Sequence, residues 1–236
     1  MDLSPLALVW RSICSYFLDF AFPRYCFTCQ RPLARKEVLF CGACRLRLPY
    51  LETFCPVCAL PLAEGGELCE LCRKGRPFDQ VHVPFRYTGP IAEGIKQLKY
   101  HQALWLAKEL ARLWQEVSAP LETDLVLPVP LHPARLRQRG FNQSLLVARF
   151  LFGRKVQAGL LKRVRPTRPQ VELKPRERFQ NVKGAFELSQ PWRVKDRRVL
   201  LFDDVMTTGA TIEECARVLK AAGASKVEVA LLARAG

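Results

Sequence analysis

Two sets of residues in this sequence have the types and spacing that chemistry requires. The first is cysteine. Eight of the ten cysteines fall into four C-x2-C pairs: Cys26 with Cys29, Cys41 with Cys44, Cys55 with Cys58, and Cys69 with Cys72. Two intervening residues let both sulfurs of a pair face one point on a tight knuckle, and two knuckles supply the four thiolates of a tetrahedral zinc site. The pairs run C-x2-C-x11-C-x2-C and then C-x2-C-x10-C-x2-C, which predicts two zinc ions in tandem; an interleaved pairing satisfies the same spacing. A disulfide framework is the competing use of cysteine, but it belongs to secreted chains, and the opening residues do not read as a secretory signal. Four thiolates close the coordination sphere, so both metals are expected to hold structure. Residues 23 to 79 are rich in proline, glycine and charge, their large apolar groups are expected to be too few to fold alone, and zinc removal is therefore expected to unfold that segment.

The second set is VLLFDDVMTTGAT, residues 199 to 211. Asp203 and Asp204 are adjacent carboxylates that can accept hydrogen bonds from neighbouring ribose hydroxyls and help to hold a hydrated Mg²⁺. The residues after them, Val205, Met206, Thr207, Thr208, Gly209, Ala210 and Thr211, are small or carry hydroxyls. Gly209 lets the backbone curl, and a helix begins at the same place, so its free N–H groups and positive dipole end form a seat for phosphate. A lone Thr-Thr-Gly is a weak signal, because the same residues make turns and caps. The order strand, paired acids, hydroxyl loop, helix is a specific one.

Those acids need a strand and a sheet to present them. RVLLF (198 to 202) reads as a buried strand, as do 81 to 87, LVLPVP (125 to 130) and KVEVALLA (226 to 233). Helical patterns run from Ile91 to about Val117, after Gly140, and from Thr211 to Ala222, where Gly223 stops the helix. The stretch from 160 to 188, polar, basic and containing prolines, reads as a long mobile loop or hairpin. Strands alternating with helices predict an α/β fold with a mainly parallel sheet and helices on both faces, whose ligands bind at the carboxyl edge of the strands.

At 236 residues the chain accommodates one such domain and a smaller unit. The expected division is an amphipathic N-terminal helix over 1–22 (Leu3, Leu6, Trp10, Ile13, Phe17, Phe20), a double zinc ribbon over 23–79 and the α/β domain over 80–236. No apolar stretch approaches the ~20 residues of a membrane-spanning helix, and a cytoplasmic protein is expected. Cys14 and Cys215 read as small buried apolar residues.

The net charge of +15 is concentrated: residues 131 to 183 carry 14 basic and 2 acidic groups, an excess of 12. That points to a phosphate-bearing partner. Aromatic residues, the usual platforms for stacked bases, are sparse in that segment. Lys99 is expected to be a solvated lysine, Asn142 a helix cap, and His132 without a direct role.

The acid-and-loop motif resembles that of the class I phosphoribosyltransferases. The resemblance implies the type I phosphoribosyltransferase fold and binding of 5-phosphoribosyl-1-pyrophosphate (PRPP) with Mg²⁺. Asp203 and Asp204 would then meet the ribose hydroxyls, and Thr207 to Thr211 would hold the 5′-phosphate. Ala210 departs from the pattern, since many members have a second glycine there. LPVPLHPARLRQRGFNQ (127 to 143), RVRPTRPQ (163 to 170), RFQNVKGAF (178 to 186) and the tandem cysteine head together resemble the ComF family of competence proteins in colinear order. That likeness implies a PRPP-binding, phosphoribosyltransferase-like protein handling single-stranded DNA during uptake and natural transformation, with a DNA translocase or recombination protein as partner of the ribbon. The alternative is an active PRPP-dependent transferase acting on an unidentified base or nucleotide. Arg135, Arg139 and Asn142 lie where a pyrophosphate would rest. Arg165, Arg168 and Arg178 lie in the segment that corresponds to a closing loop, and the same six side chains are candidates for a DNA backbone.

Overall fold

The computed structural model describes residues 24–62, 67–168 and 173–236, without the side chains of Pro175 and Arg176. The amphipathic helix expected over 1–22 lies outside the described residues. The chain divides into two units, one ending at Leu48 and one running from Pro49 to Gly236.

Each unit carries one cysteine cluster, and the two are built alike. Cys26 N donates to Arg31 O at 2.8 Å and Gln30 N to Cys26 O at 2.9 Å; in the second cluster Cys55 N donates to Leu60 O and Ala59 N to Cys55 O, both at 2.9 Å. These bonds curl the chain into a knuckle and place Gln30 and Ala59 in the left-handed region, at φ of 59° and 54°. One-turn helices, Gly42–Arg45 and Glu70–Arg73, carry Cys44 and Cys72. The first unit has a small core of its own around Val38, Leu39, Phe40 and Leu48. The second cluster does not stand alone: Cys55, Cys58, Cys69 and Cys72 share one core with Leu127, Leu201, Val229 and Leu231 of the sheet.

That sheet begins with β1 (Gln80–His82) and β2 (Phe85–Arg86). Helices α1 (Gly89–Tyr100) and α2 (Trp105–Val117) follow, then β3 (Leu125–Pro128), α3 (Pro133–Arg139) and α4 (Gln143–Phe152). The single helical pattern expected over 91–117 is thus two helices. Gln102, at φ 54°, turns the chain between them, so that Leu98 and Leu106 are both fully buried. Next come β4 (Leu161–Arg163), α5 (Pro175–Val182), β5 (Phe186–Leu188), β6 (Arg198–Met206), α6 (Ala210–Ala221) and β7 (Lys226–Arg234). The main sheet has the order β1-β7-β6-β3, with β2 also on β7, and every pairing in it is parallel.

Segment 160–188 is a hairpin and more: β4 and β5 pair antiparallel, and α5 lies between them. The helix starts where Lys174 N donates to Glu177 Oε2 at 2.8 Å with Pro175 as its first residue. Both are start signals that the proline content of the segment obscures.

Strand β6 is buried on both faces. Successive side chains of a strand point to opposite faces. Leu201 therefore joins a core with Ile212, Ala216 and Leu219 of α6, whereas Phe202 meets Phe152 of α4 edge-on at 6.1 Å. The strand continues through both acids to Met206, longer than the sequence pattern indicates, and leaves only Thr207–Gly209 between strand and helix.

Candidate functional site

Each set of four cysteines has all its sulfurs within 4.8 Å of one another: Cys26, Cys29, Cys41 and Cys44 in the first, Cys55, Cys58, Cys69 and Cys72 in the second. The pairing is therefore tandem. Cys29 Sγ lies 3.7 Å from Cys41 Sγ, and Cys58 Sγ lies 3.6 Å from Cys69 Sγ. A tetrahedron of sulfurs at ~2.3 Å from zinc has edges of about 3.8 Å, so both clusters fit that ion. Burial opposes ionisation, yet N–H groups of Cys29, Cys41 and Thr28 draw Cys26 down to about 6. Those of Cys69, Cys58 and Val57 do the same for Cys55. Cys44 is pushed up to about 12, first by its hydrogen bond with Cys41 and then by burial. Cys215 is buried on α6, and burial pushes its thiol well above the usual value; it is a packed core residue.

At the carboxyl edge of the sheet, β6 presents the acid pair. Asp203 Oδ1 accepts from Ser144 Oγ of α4 at 2.7 Å and from Asp204 N at 2.9 Å. Asp204 is 3% exposed; its Oδ1 accepts from Val205 N at 2.8 Å, and its Oδ2 pairs with Lys99 Nζ at 2.6 Å. Lys99 is not the solvated lysine that the sequence indicates. It stands in the last turn of α1, and although burial disfavours its charge, Asp204 and then Asp203 raise its pKa above the usual value. Burial and the neighbouring Asp204 push Asp203 up to about 7, against the opposing effect of Lys99.

A cavity of about 230 Å³ opens over these acids. Thr207, Thr211, Tyr87, Tyr100, Pro130 and Leu131 are among the residues that line it. Five cations face it, Lys99, Arg135, Arg139, Arg163 and Arg178, against the two carboxylates. Arg178 NH1 donates to Thr207 Oγ1 at 3.1 Å, which brings α5 onto the loop. The Arg139 guanidinium lies 5.5 Å from the centre of the Tyr100 ring and donates to Gln143 Oε1 at 2.8 Å. Burial pulls the pKa of Arg139 and of Arg163 below the usual guanidinium value. The loop itself turns at Gly209, φ 87°, which also forms the N-cap of α6. The first N–H groups of a helix have no intrahelical acceptor, and those of α6 begin at the loop.

Of the residues singled out from sequence, Asp203, Asp204, Val205, Thr207, Thr211, Arg135, Arg139 and Arg178 line this cavity. Met206 has its side chain in the core. Thr208 Oγ1 accepts from Ala210 N at 3.4 Å, so Thr208, Gly209 and Ala210 shape the loop chiefly through backbone. Asn142 caps α4, accepting from Ser144 N and Leu145 N, and ties that helix to Val129 O. His132 is also a cap, for α3, taking Ala134 N at 3.3 Å. Arg165 donates to Asn181 O and Lys183 O at the end of α5, and Arg168 N to Asn181 Oδ1; neither faces the cavity. Lys99 and Ser144, which contact the two acids directly, lie outside the motif. Lys99 has a signal only in retrospect, as the one cation in the last turn of α1, and Ser144 has none beyond its place beside the Asn142 cap.

Residues 17–73 match the double zinc ribbon domain and residues 158–236 the phosphoribosyl transferase domain. The chain is 36% identical over 223 residues to the DNA utilization protein YhgH of Salmonella typhimurium, covering 90% of this chain and 97% of that one. It is 30% identical to Competence protein F of Haemophilus influenzae, covering 89% and 96%. A more distant match, 25% identical over 122 residues, is the adenine phosphoribosyltransferase of Prochlorococcus marinus, covering 51% of this chain and 68% of that one. With both domains present and relatives of this identity spanning nearly their whole length, the chain belongs to the ComF family, together with the YhgH proteins.

Proposed function

We propose that the cavity binds PRPP or a closely related phosphorylated ribose, and that the protein handles single-stranded DNA in the cytoplasm during DNA uptake. The observation that carries the sugar-phosphate reading is the convergence, on one cavity, of adjacent carboxylates, the helix-capping loop and five cations. Asp203 and Asp204 accept the ribose hydroxyls. The N-terminus of α6 with Thr207 and Thr211 receives the 5′-phosphate, and Arg135 and Arg139 face the pyrophosphate.

Three of the four carboxylate oxygens have partners within the protein. Asp203 Oδ2 has none among the described residues. This donor set fits Mg²⁺, which takes one or two carboxylates and completes its shell with water and substrate phosphates. Bound through Asp203, the ion would neutralise pyrophosphate charge.

The DNA reading draws on the relatives' names, Competence protein F and DNA utilization protein, and on the basic segment 131–183. Exposed side chains there, Arg137, Arg149, Arg154, Arg165 and Arg168, are available to a phosphate backbone. The zinc ribbons are the surface we assign to a translocase or recombination partner.

The test pairs two titrations, PRPP with Mg²⁺ and single-stranded DNA, on the native chain and on Asp203→Asn with Asp204→Asn. The expected result is loss of PRPP binding with DNA binding kept. Unchanged PRPP affinity in the double variant removes the reading. Pyrophosphate release in the presence of a defined base would instead establish an active transferase.

A further inference from the structure

The second cysteine cluster and the phosphate loop hang on the same side chain. Arg234, the last residue of β7, is 2% exposed. Its Nε donates to Cys58 O of the second knuckle at 3.2 Å, and its NH1 donates to Met206 O at 2.9 Å and Thr207 O at 2.6 Å. A trans peptide holds its C=O and N–H on opposite sides. Fixing the carbonyls of Met206 and Thr207 therefore fixes the N–H groups of Thr207 and Thr208, pointing away from Arg234.

A second arginine makes a parallel link. Arg76, four residues beyond Cys72, forms an ion pair with Glu213 in the first turn of α6, both side chains more than nine-tenths buried. Its NH1 also lies 3.6 Å from where a Cβ would stand on Gly209. The knuckle is tied to the sheet as well, Val81 N donating to Val57 O at 2.8 Å. A guanidinium presents its donors in a rigid fork, so displacement of one acceptor disturbs the others.

We infer that the second zinc ribbon is a working part of the sugar-phosphate site, with Arg234 and Arg76 as positioning residues that pass the geometry of the metal knuckle to Thr207–Gly209 and the start of α6. Zinc at the second cluster is then needed for tight binding of a 5′-phosphorylated ribose. Zinc at the first, in the unit that ends at Leu48, is not. This rests on the cavity being a sugar-phosphate site.

The experiment uses the full chain in three forms: Cys55→Ser with Cys58→Ser, Cys26→Ser with Cys29→Ser, and Arg234→Lys. Zinc content, calorimetric affinity for PRPP and amide hydrogen exchange at Thr207 and Thr208 are measured for each. The second-cluster variant and Arg234→Lys are expected to lose about 10- to 100-fold in affinity, the range for a lost charged hydrogen bond. The first-cluster variant is expected to stay near native. Arg234→Lys keeps charge and both zinc ions but not the fork, and faster exchange at Thr207 and Thr208 is expected without global unfolding. Equal losses in the two cysteine variants, or native affinity and exchange in Arg234→Lys, overturn the inference. If the native chain binds no PRPP, the sugar-phosphate reading fails and the site role falls with it. Unchanged exchange in Arg234→Lys would then show that the loop is not supported through Arg234 either.

Discussion

Asp203 carries its proton to a pH near 7 because burial and Asp204 oppose its charge. An unfolded aspartate ionises at about 3.9. Between those values the folded form holds the extra proton, so this group makes folding less favourable as pH rises, and the full penalty is reached above about 7. Asp203→Asn removes it. The stability gain of that variant over the native chain is expected to be near zero below pH 4, to grow through pH 4 to 7 and to level off above; thermal unfolding across pH measures it. A gain of the same size at every pH would show that the carboxyl is not shifted. Native PRPP affinity is expected to rise from pH 6 to 8, as Asp203 becomes a full acceptor for the ribose hydroxyls. On the proposed reading, the acid that binds the sugar is also one that destabilises the fold, a common trade at functional sites.

The element that matters most for the site is the short connection from β6 to α6. Its one glycine with positive φ, Gly209 at 87°, sits where an added Cβ would stand 2.6 Å from Met206 Cε. Gly209→Ala is expected to cost about 1–2 kcal/mol for the left-handed backbone alone, with further strain because Met206 is buried. Denaturant unfolding gives that number, and a stability equal to native would show that the loop relaxes into another turn. The sequence marks this connection well, because strand, acids, loop and helix are contiguous. It marks the 160–188 segment less fully: that stretch reads as a loop or a hairpin and the hairpin forms, but no local pattern fixes the pairing of Leu161 with Leu188, 27 positions apart. The break at Gln102 is likewise hidden, since both halves of 91–117 have good helical patterns and only packing onto the sheet decides where they part.

For the whole molecule, the basic excess is divided by position: Arg135, Arg139, Arg163 and Arg178 line the cavity, whereas Arg137, Arg149 and Arg154 are exposed. A single strand that neutralises about five of its phosphates on such groups should lose roughly a hundredfold in affinity between 50 and 200 mM salt. A fluorescence titration over that range measures the slope; a flat one would remove backbone contact as the mode of binding. Tyr100, which lines the cavity, is 59% exposed, and Phe150 of the basic segment is 46% exposed. Metal analysis of the full chain is expected to give two zinc ions. Their removal should cost more than the ribbons, because the second cluster shares the core of the sheet.

The sequence by itself determined what depends on neighbours along the chain: four knuckles, a buried strand ending in two acids, the turn at Gly209 and the cap at Asn142. Each is a matter of spacing or of a backbone conformation that few residues adopt. Only the tertiary structure decided which knuckles share a metal, that Lys99 neutralises Asp204 from 105 positions away, and that Arg234 joins Cys58 to the loop between β6 and α6. Those contacts are made by long cationic side chains whose partner is whatever acceptor the fold brings within reach. A lysine or arginine in a sequence therefore declares its charge and not its destination.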